Sequence, residues 1–262
     1  MSNVLPADIA DALADVRGRL GRLASTVTYF PTIGSTNDVA ATMAEGAIVI
    51  AGAQTEGRGR RGRSWFSPLN SGLYVSIVLA PSRSADPRRA VSLTTIAAGV
   101  ALAEGTETAT GLRVRLKWPN DLYVGRRKLA GILAEAAAAG DRIDAVVLGY
   151  GINVAEAAYP AELRDRVTSL ESELGAVPPR ARVLVETLAA MAARYEDLLA
   201  GRFDAILNGW RSRADANGAR VEWTSHEGSR SGLVVDIDED GALLVKTDVG
   251  IERIVRGEIV WL

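Results

Sequence analysis

The chain has 262 residues, 48% hydrophobic and 24% charged, with 30 basic against 32 acidic side chains, enough for one large domain with an appendage or two modest ones. A net charge of −2 argues against a surface that coats nucleic acid nonspecifically, so any cationic patch must be local. With no cysteine and a single histidine, His226, the sequence excludes thiol chemistry, disulfides and a histidine-rich metal site, and it leaves any Ser-His-Asp triad to depend on that one residue.

In chain order, Ile9, Leu13, Val16, Leu20 and Leu23 recur at steps of four and three, which predicts an amphipathic helix. Thr26 to Phe30 reads as a short strand, and Ser35-Thr36-Asn37-Asp38 as a helix start. Ile48 to Gln54 is a strand of buried type, and Leu73, Val75, Ile77 and Leu79 alternate along another, so two strands bracket the glycine- and arginine-rich segment between them. Pro87 to about Thr108 and Arg180 to Leu199 suit helices, with strands at Arg113–Lys117, Leu129–Glu135 and Ile143–Val154. After Trp210 come short β runs at Val221–Trp223, Gly232–Ile237, Ala242–Lys246 and Ile251–Val255, divided by Asp240-Gly241 and Val249-Gly250 turns, a small barrel-like unit. No run approaches ~18 continuous apolar residues and no secretory leader is legible, so a cytoplasmic location with no membrane contact is expected.

Three motifs carry chemistry. In Gly57-Arg58-Gly59-Arg60-Arg61-Gly62-Arg63, four arginines within seven residues repel one another unless an anion joins them. The interleaved glycines let backbone N–H groups approach a carboxylate or phosphate, although no Gly-Lys-Ser/Thr ending is present. A solvated basic loop or nucleic-acid patch is the plain alternative; Trp65-Phe66, directly following, suits a loop that closes over a ligand. The second motif is Lys117-Trp118-Pro119-Asn120-Asp121 with Lys128-Leu129-Ala130-Gly131 beyond it. Pro119 cannot donate to a ladder, which places Asn120 and Asp121 in a turn, where a carboxylate can hold magnesium or orient a nucleophile. Lysines are scarce, only Lys117, Lys128 and Lys246, so a retained lysine suggests a point charge that arginine's planar fork cannot copy. The third is Gly149-Tyr150-Gly151-Ile152-Asn153, where glycines at a strand end admit a flat ligand or simply turn the chain.

Together with Gly34-Ser35-Thr36-Asn37 and Gln54-Thr55-Glu56, these motifs closely resemble those of biotin protein ligases, in that family's order over most of residues 30 to 155. The resemblance implies an α+β fold: a class II synthetase-like mixed β-sheet catalytic domain with flanking helices over residues 1–212, and a small C-terminal SH3-like β-barrel over 213–262. It implies that ATP, with Mg2+, adenylates biotin and that biotin passes to a lysine of a biotin carboxyl carrier protein. On the matching positions, Ser35, Thr36 and Gln54 would hydrogen-bond biotin's ureido head, with Asn37 nearby. Arg58, Gly59 and Arg60 would close over biotin and its adenylate, Arg60 retaining the intermediate. Arg61 and Arg63 would meet the ATP phosphates, Trp65 would belong to the ATP site, and Asn153 would contact adenine. Lys128 would bridge biotin's carboxyl oxygen and the α-phosphate, Gly131 would permit close approach, and Asp121 would stand near magnesium or the acceptor lysine. Tyr150 occupies a place where small or aliphatic residues are common, which bears on the fit of adenine. Fewer than about thirty residues precede the first strand, too few for a helix-turn-helix, so no DNA binding and no repressor role are expected. A lipoate-type ligase of the same fold and a non-catalytic RNA-binding module are the alternatives.

Overall fold

Strand β3 (Gly72–Leu79) is buried along its whole length, the mark of a strand covered on both faces. It lies near the middle of a seven-stranded sheet in the order β1-β2-β3-β7-β6-β5-β4, where β1 is Val27–Phe30, β2 Ile48–Ala51, β4 Arg115–Lys117, β5 Asp121–Val124, β6 Arg127–Ala139 and β7 Arg142–Asn153. Only the β1–β2 pair is parallel; the other neighbours are antiparallel. The computed structural model describes residues 4–261 apart from 140, 141, 215–217, 226, 227 and 258. His226, and with it the triad question, lies outside the described residues.

Helices α3 (Pro87–Thr110) and α5 (Arg180–Leu199) cover one face of this sheet. Asp86 caps α3 by accepting from the Arg89 N–H, Pro87 occupies its first turn, and Gly111 ends it in a left-handed conformation. At Gly105 a Cβ would come within 2.4 Å of the Thr187 backbone, so this glycine sets how closely α3 and α5 cross. The opposite face carries the short helix α2 (Thr36–Ala40) and the arginine-rich loop.

The strand pleat sorts β7 between these faces. Tyr150 is buried, with its hydroxyl 3.5 Å from Thr187 on α5. Gly149 instead abuts Asn37 of α2, and Gly151 abuts Trp65 of the loop. The Tyr150 ring therefore belongs to the helix-side core and does not compete with a ligand on the other face.

A second, five-stranded antiparallel sheet has the order β11-β10-β9-β8-β12, with β8 Arg220–Ser225, β9 Gly228–Ile237, β10 Leu243–Thr247, β11 Gly250–Ile254 and β12 Ile259–Trp261. It shares one hydrophobic core with the large sheet and its helices. Trp118 Nε1 donates to the Gly241 carbonyl at 2.8 Å, and Arg211 binds Asp236 at 2.9 Å.

Several elements differ from the sequence expectation. The N-terminal helix α1 (Ala7–Asp15) is short, and a 3₁₀ turn follows at Arg17–Arg19, although Leu20 and Leu23 stay buried as the apolar spacing predicts. Gly18 and Gly21, the latter at φ 53°, favour the break. Asp121 does not share Asn120's turn: it opens β5, paired with Lys117 on one side and Gly131 on the other. Helices α4 (Leu170–Leu174) and α6 (Phe203–Arg211), and strands β5 and β12, are too short for periodicity to announce them.

Candidate active site

The site begins with two glycines. Gly131 on β6 and Gly151 on β7 are register partners, and their missing side chains open a trough in the exposed face of the sheet. The indole of Trp65 lies across it: a Cβ on Gly151 would fall 2.2 Å from Trp65 Nε1, and one on Gly131 would fall 3.0 Å from the same ring. Gly131 thus makes room for Trp65 and the end of Lys128, a use for this glycine that spacing alone did not reveal.

The loop over the trough is a tight hairpin. Gly59 N–H donates to the Arg63 carbonyl at 2.6 Å, and Trp65 N–H donates to the Gly57 carbonyl at 2.8 Å. Its tip needs two successive left-handed residues, Arg61 at φ 58° and Gly62 at φ 72°, which is costly for a non-glycine such as Arg61. Arg60 reaches across to donate to Asn120 Oδ1 at 3.1 Å, and Asn120 is fixed by its own amide donating to the Ile132 carbonyl at 2.7 Å. Arg58 is satisfied within the protein: it binds Asp38 at 2.7 Å and Glu135 at 3.1 Å. Its hydrogen bond to Asp38, then that to Glu135, holds the guanidinium pKa above its ordinary value. The expectation that an external anion must reconcile all four loop arginines therefore fails for Arg58.

The remaining predicted residues converge on the cleft. Lys128 Nζ stands 2.7 Å from Asp121 Oδ1 and 5.3 Å from the centre of the Trp65 ring. The contact with Asp121 is an ion pair lying off the hydrogen-bonding direction, since that oxygen has no aligned donor. Lys117 sits over the rings of Tyr123, at 5.1 Å, and Trp261, at 6.0 Å. Burial, followed by the charge of Asp121, pushes the Tyr123 phenol up to about 12. At the other end, Ser35, Thr36, Asn37 and Gln54 form a neutral polar recess in which Gln54 Oε1 accepts from the Thr36 N–H at 2.9 Å. Ser35 stands at the N-cap of α2 without a capping side-chain bond. Asn153 lines the same cleft, its amide donating to the Thr168 carbonyl at 2.9 Å.

Recess, loop, Lys128 and Asn153 thus share one cleft of about 540 Å³. Sequence reasoning missed part of its wall: Tyr159, Leu163, Arg166 and Val167 from the segment after β7, Gly257 from the link between β11 and β12, and Ile259 and Val260 of β12. Tyr159 packs its ring 5.9 Å from Phe66, whose place beside the arginine loop was the one available signal. Seven cationic side chains line this space (Arg58, Arg60, Arg61, Arg63, Lys117, Lys128 and Arg166), and among the described residues Asp121 is the one carboxylate that does. Such a wall stabilises negative charge brought together or developing within it. Among the described residues, no three histidine, aspartate or glutamate side chains gather as a metal-binding group, and no helix is long and apolar enough to cross a membrane.

Known proteins resemble this chain in sequence and fold. The biotin/lipoate A/B protein ligase family model matches residues 27–153, and the biotin protein ligase C-terminal domain model matches residues 218–261. A bifunctional ligase/repressor of Bacillus subtilis is 35% identical over 238 residues, 88% of this chain and 72% of the relative. A biotin–[acetyl-CoA-carboxylase] ligase of Paracoccus denitrificans is 33% identical over 236 residues, 86% of this chain and 96% of the relative. The solved structure of biotin protein ligase from Aquifex aeolicus in complex with biotin and ATP superposes with a TM-score of 0.80 at 28% identity, over 91% of this chain and 99% of that one. With both domain models, the relatives and the superposed structure in agreement, this chain belongs to the biotin protein ligase family.

Proposed function

We propose that the neutral recess holds biotin's ureido head, that the cationic wall holds its carboxylate against ATP, and that the acyl group passes to a lysine of a biotin carboxyl carrier domain. The supporting observation is the make-up of the cleft: the uncharged donors and acceptors of Ser35, Thr36, Asn37 and Gln54 share it with seven cations and, among the described residues, one carboxylate. A carboxylate and a triphosphate repel each other, and bringing them together takes concentrated positive charge shielded from water.

In the first step a biotin carboxylate oxygen attacks the α-phosphorus, the bond to the β-phosphate oxygen breaks, and pyrophosphate leaves. Lys128 stabilises the charge shared between the carboxyl oxygen and the α-phosphoryl group, while Arg61 and Arg63 receive the departing phosphates. In the second step the acceptor amine attacks the acyl carbon, loses a proton and expels AMP. Arg60, tied to Asn120, keeps the loop shut over the mixed anhydride until then. Trp65 covers the acyl chain beside the nucleotide, and Asn153, with the wall around Tyr159, receives adenine.

Asp121 fits a magnesium ion that travels with ATP, because such an ion takes most of its ligands from phosphate oxygens and water and needs one or two carboxylates. Magnesium would neutralise phosphate charge there. Residues 213–262 are taken as a second domain that supplies one wall, and the cytoplasm, where ATP and carboxylases meet, as the working compartment. No role in DNA binding is assigned.

ATP–pyrophosphate exchange tests the reading. Exchange should depend on biotin, and lipoate should not support it; stimulation by lipoate alone would overturn the choice of acid.

A further inference from the structure

We propose that Glu173, on the short helix α4, is a positioning residue that holds Lys128 in its aim at the cleft. This rests on the reading that Lys128 meets biotin's carboxyl oxygen and the α-phosphate.

An unbroken strand would not aim Lys128 this way. Gly131 faces the cleft, where a Cβ would meet Trp65 and the end of Lys128, and its neighbour Ile132 faces α3, 3.9 Å from where a Cβ on Gly99 would stand. Residues three apart on a regular strand point to opposite faces, yet Lys128 and Gly131 share the cleft. The irregularity lies between them. Leu122 pairs with Ala130 but Tyr123 pairs with Lys128, so Leu129 is an extra residue on β6, a β-bulge. A bulge interrupts the ladder locally and re-aims the side chain beside it.

Strand β7 does not support this bulge from the other edge, because the β6–β7 pairing begins at Ala130 and Ile152. Lys128 instead pairs with Val167 in an isolated parallel bridge. Its N–H donates to the Arg166 carbonyl at 2.9 Å, and its carbonyl accepts from the Thr168 N–H at 2.9 Å. Glu173 grips this bridge on both sides. Its Oε1 accepts from Thr168 Oγ1 at 2.5 Å and from the guanidinium of Arg127, the residue before Lys128, at 2.8 Å. The Arg127 side chain is 47% exposed and its pair is screened, whereas Thr168 is buried, so the hydroxyl carries more of the hold. Neither Thr168 nor Glu173 is among the described residues that line the cleft. Thr168 reaches it through the Lys128 backbone and through its own carbonyl, which accepts from the Asn153 amide at 2.9 Å.

Single-turnover adenylate formation by the full chain, at saturating biotin and ATP, tests this in a double-mutant cycle. Glu173→Ala should slow the step on the order of 10-fold with the chain still folded at the assay temperature, since a small misplacement of a catalytic group is costly. In the Lys128→Ala background the same substitution should change the remaining rate by less than about twofold, because the group it positions is gone. Thr168→Val, which removes the hydroxyl at nearly constant volume, should slow the step in the same sense, and Thr168→Ser, which keeps it, should not. These two variants decide the matter if Glu173→Ala fails to fold. An equal factor in both backgrounds, as from a general loss of structure or a change relayed through Asn153, overturns the proposal. So does an unchanged rate in Glu173→Ala, or equal rates in Thr168→Val and Thr168→Ser. A wild-type rate in Lys128→Ala overturns instead the reading of Lys128 on which the proposal rests.

Discussion

Lys128 and Asp121 meet at 2.7 Å inside the cleft, on adjacent strands of one sheet. Each is the other's counterion in the absence of ligand, so the lysine is held ready near Trp65 rather than extended into solvent. In the proposed reaction, a carboxylate and a phosphate would replace one negative partner with others, at little cost in reorganisation.

Replacing Lys128 with alanine should slow adenylate formation by about 10²- to 10³-fold, the usual cost of losing one oriented charge-stabilising group. Lys128→Arg should not restore the rate, since a planar fork cannot occupy a point-charge site between Asp121 and the ring of Trp65. Pyrophosphate exchange alongside thermal melting checks both; a wild-type rate in either variant removes Lys128 from the mechanism.

Asp121→Asn leaves Lys128 without its counterion and removes the one carboxylate among the described residues of the cleft wall. The magnesium concentration needed for half-maximal exchange should rise several-fold while the melting temperature stays close to wild type. An unchanged magnesium dependence would separate Asp121 from the metal.

The trough glycines should differ in their tolerance of a side chain. A Cβ at Gly151 meets the rigid indole of Trp65 at 2.2 Å, whereas one at Gly131 meets its edge at 3.0 Å and the flexible end of Lys128 at 3.2 Å. Gly151→Ala should weaken biotin binding more than Gly131→Ala and should shift the Trp65 emission; the reverse order would mean that Trp65 does not rest there in solution.

Arg60→Gly removes the tie to Asn120 at 3.1 Å, so the adenylate should leave faster and reach lysines outside the cleft. Asn120→Ala should speed release in the same sense. Release measured by rapid dilution decides; a slower or unchanged rate contradicts the tie.

Stability should fall at alkaline pH. Burial raises the phenols of Tyr74, Tyr123, Tyr150, Tyr159 and Tyr195, with Tyr123 and Tyr159 at about 12. Between their unfolded value of about 10 and the raised folded values, the unfolded chain releases protons that the folded chain retains, so folding loses stability as pH rises through that window. Melting temperatures should drop steadily over it, with phenolate absorbance appearing together with unfolding rather than before it.

Much of the fold and of the site is legible in local patterns. The strands on either side of the arginine loop, the long apolar face of α3 and the turn-separated C-terminal β runs follow from periodicity, because alternation and helical spacing are properties of neighbouring residues. The loop's concentration of arginine and the retained Lys128 likewise point to the segments that line the cleft without reference to the rest of the chain. Other features were decided by tertiary structure alone. Glu135 meets Asn37 across 98 positions of sequence, and Asp38 and Glu135 claim Arg58 from two separate elements. The pleat sends Tyr150 to the helices and its flanking glycines to the cleft, and the second sheet closes a wall that no motif announced. The division has a physical cause: propensity and periodicity act over one or two turns of chain, whereas the partner of a charge or of a buried polar group depends on which strands become neighbours.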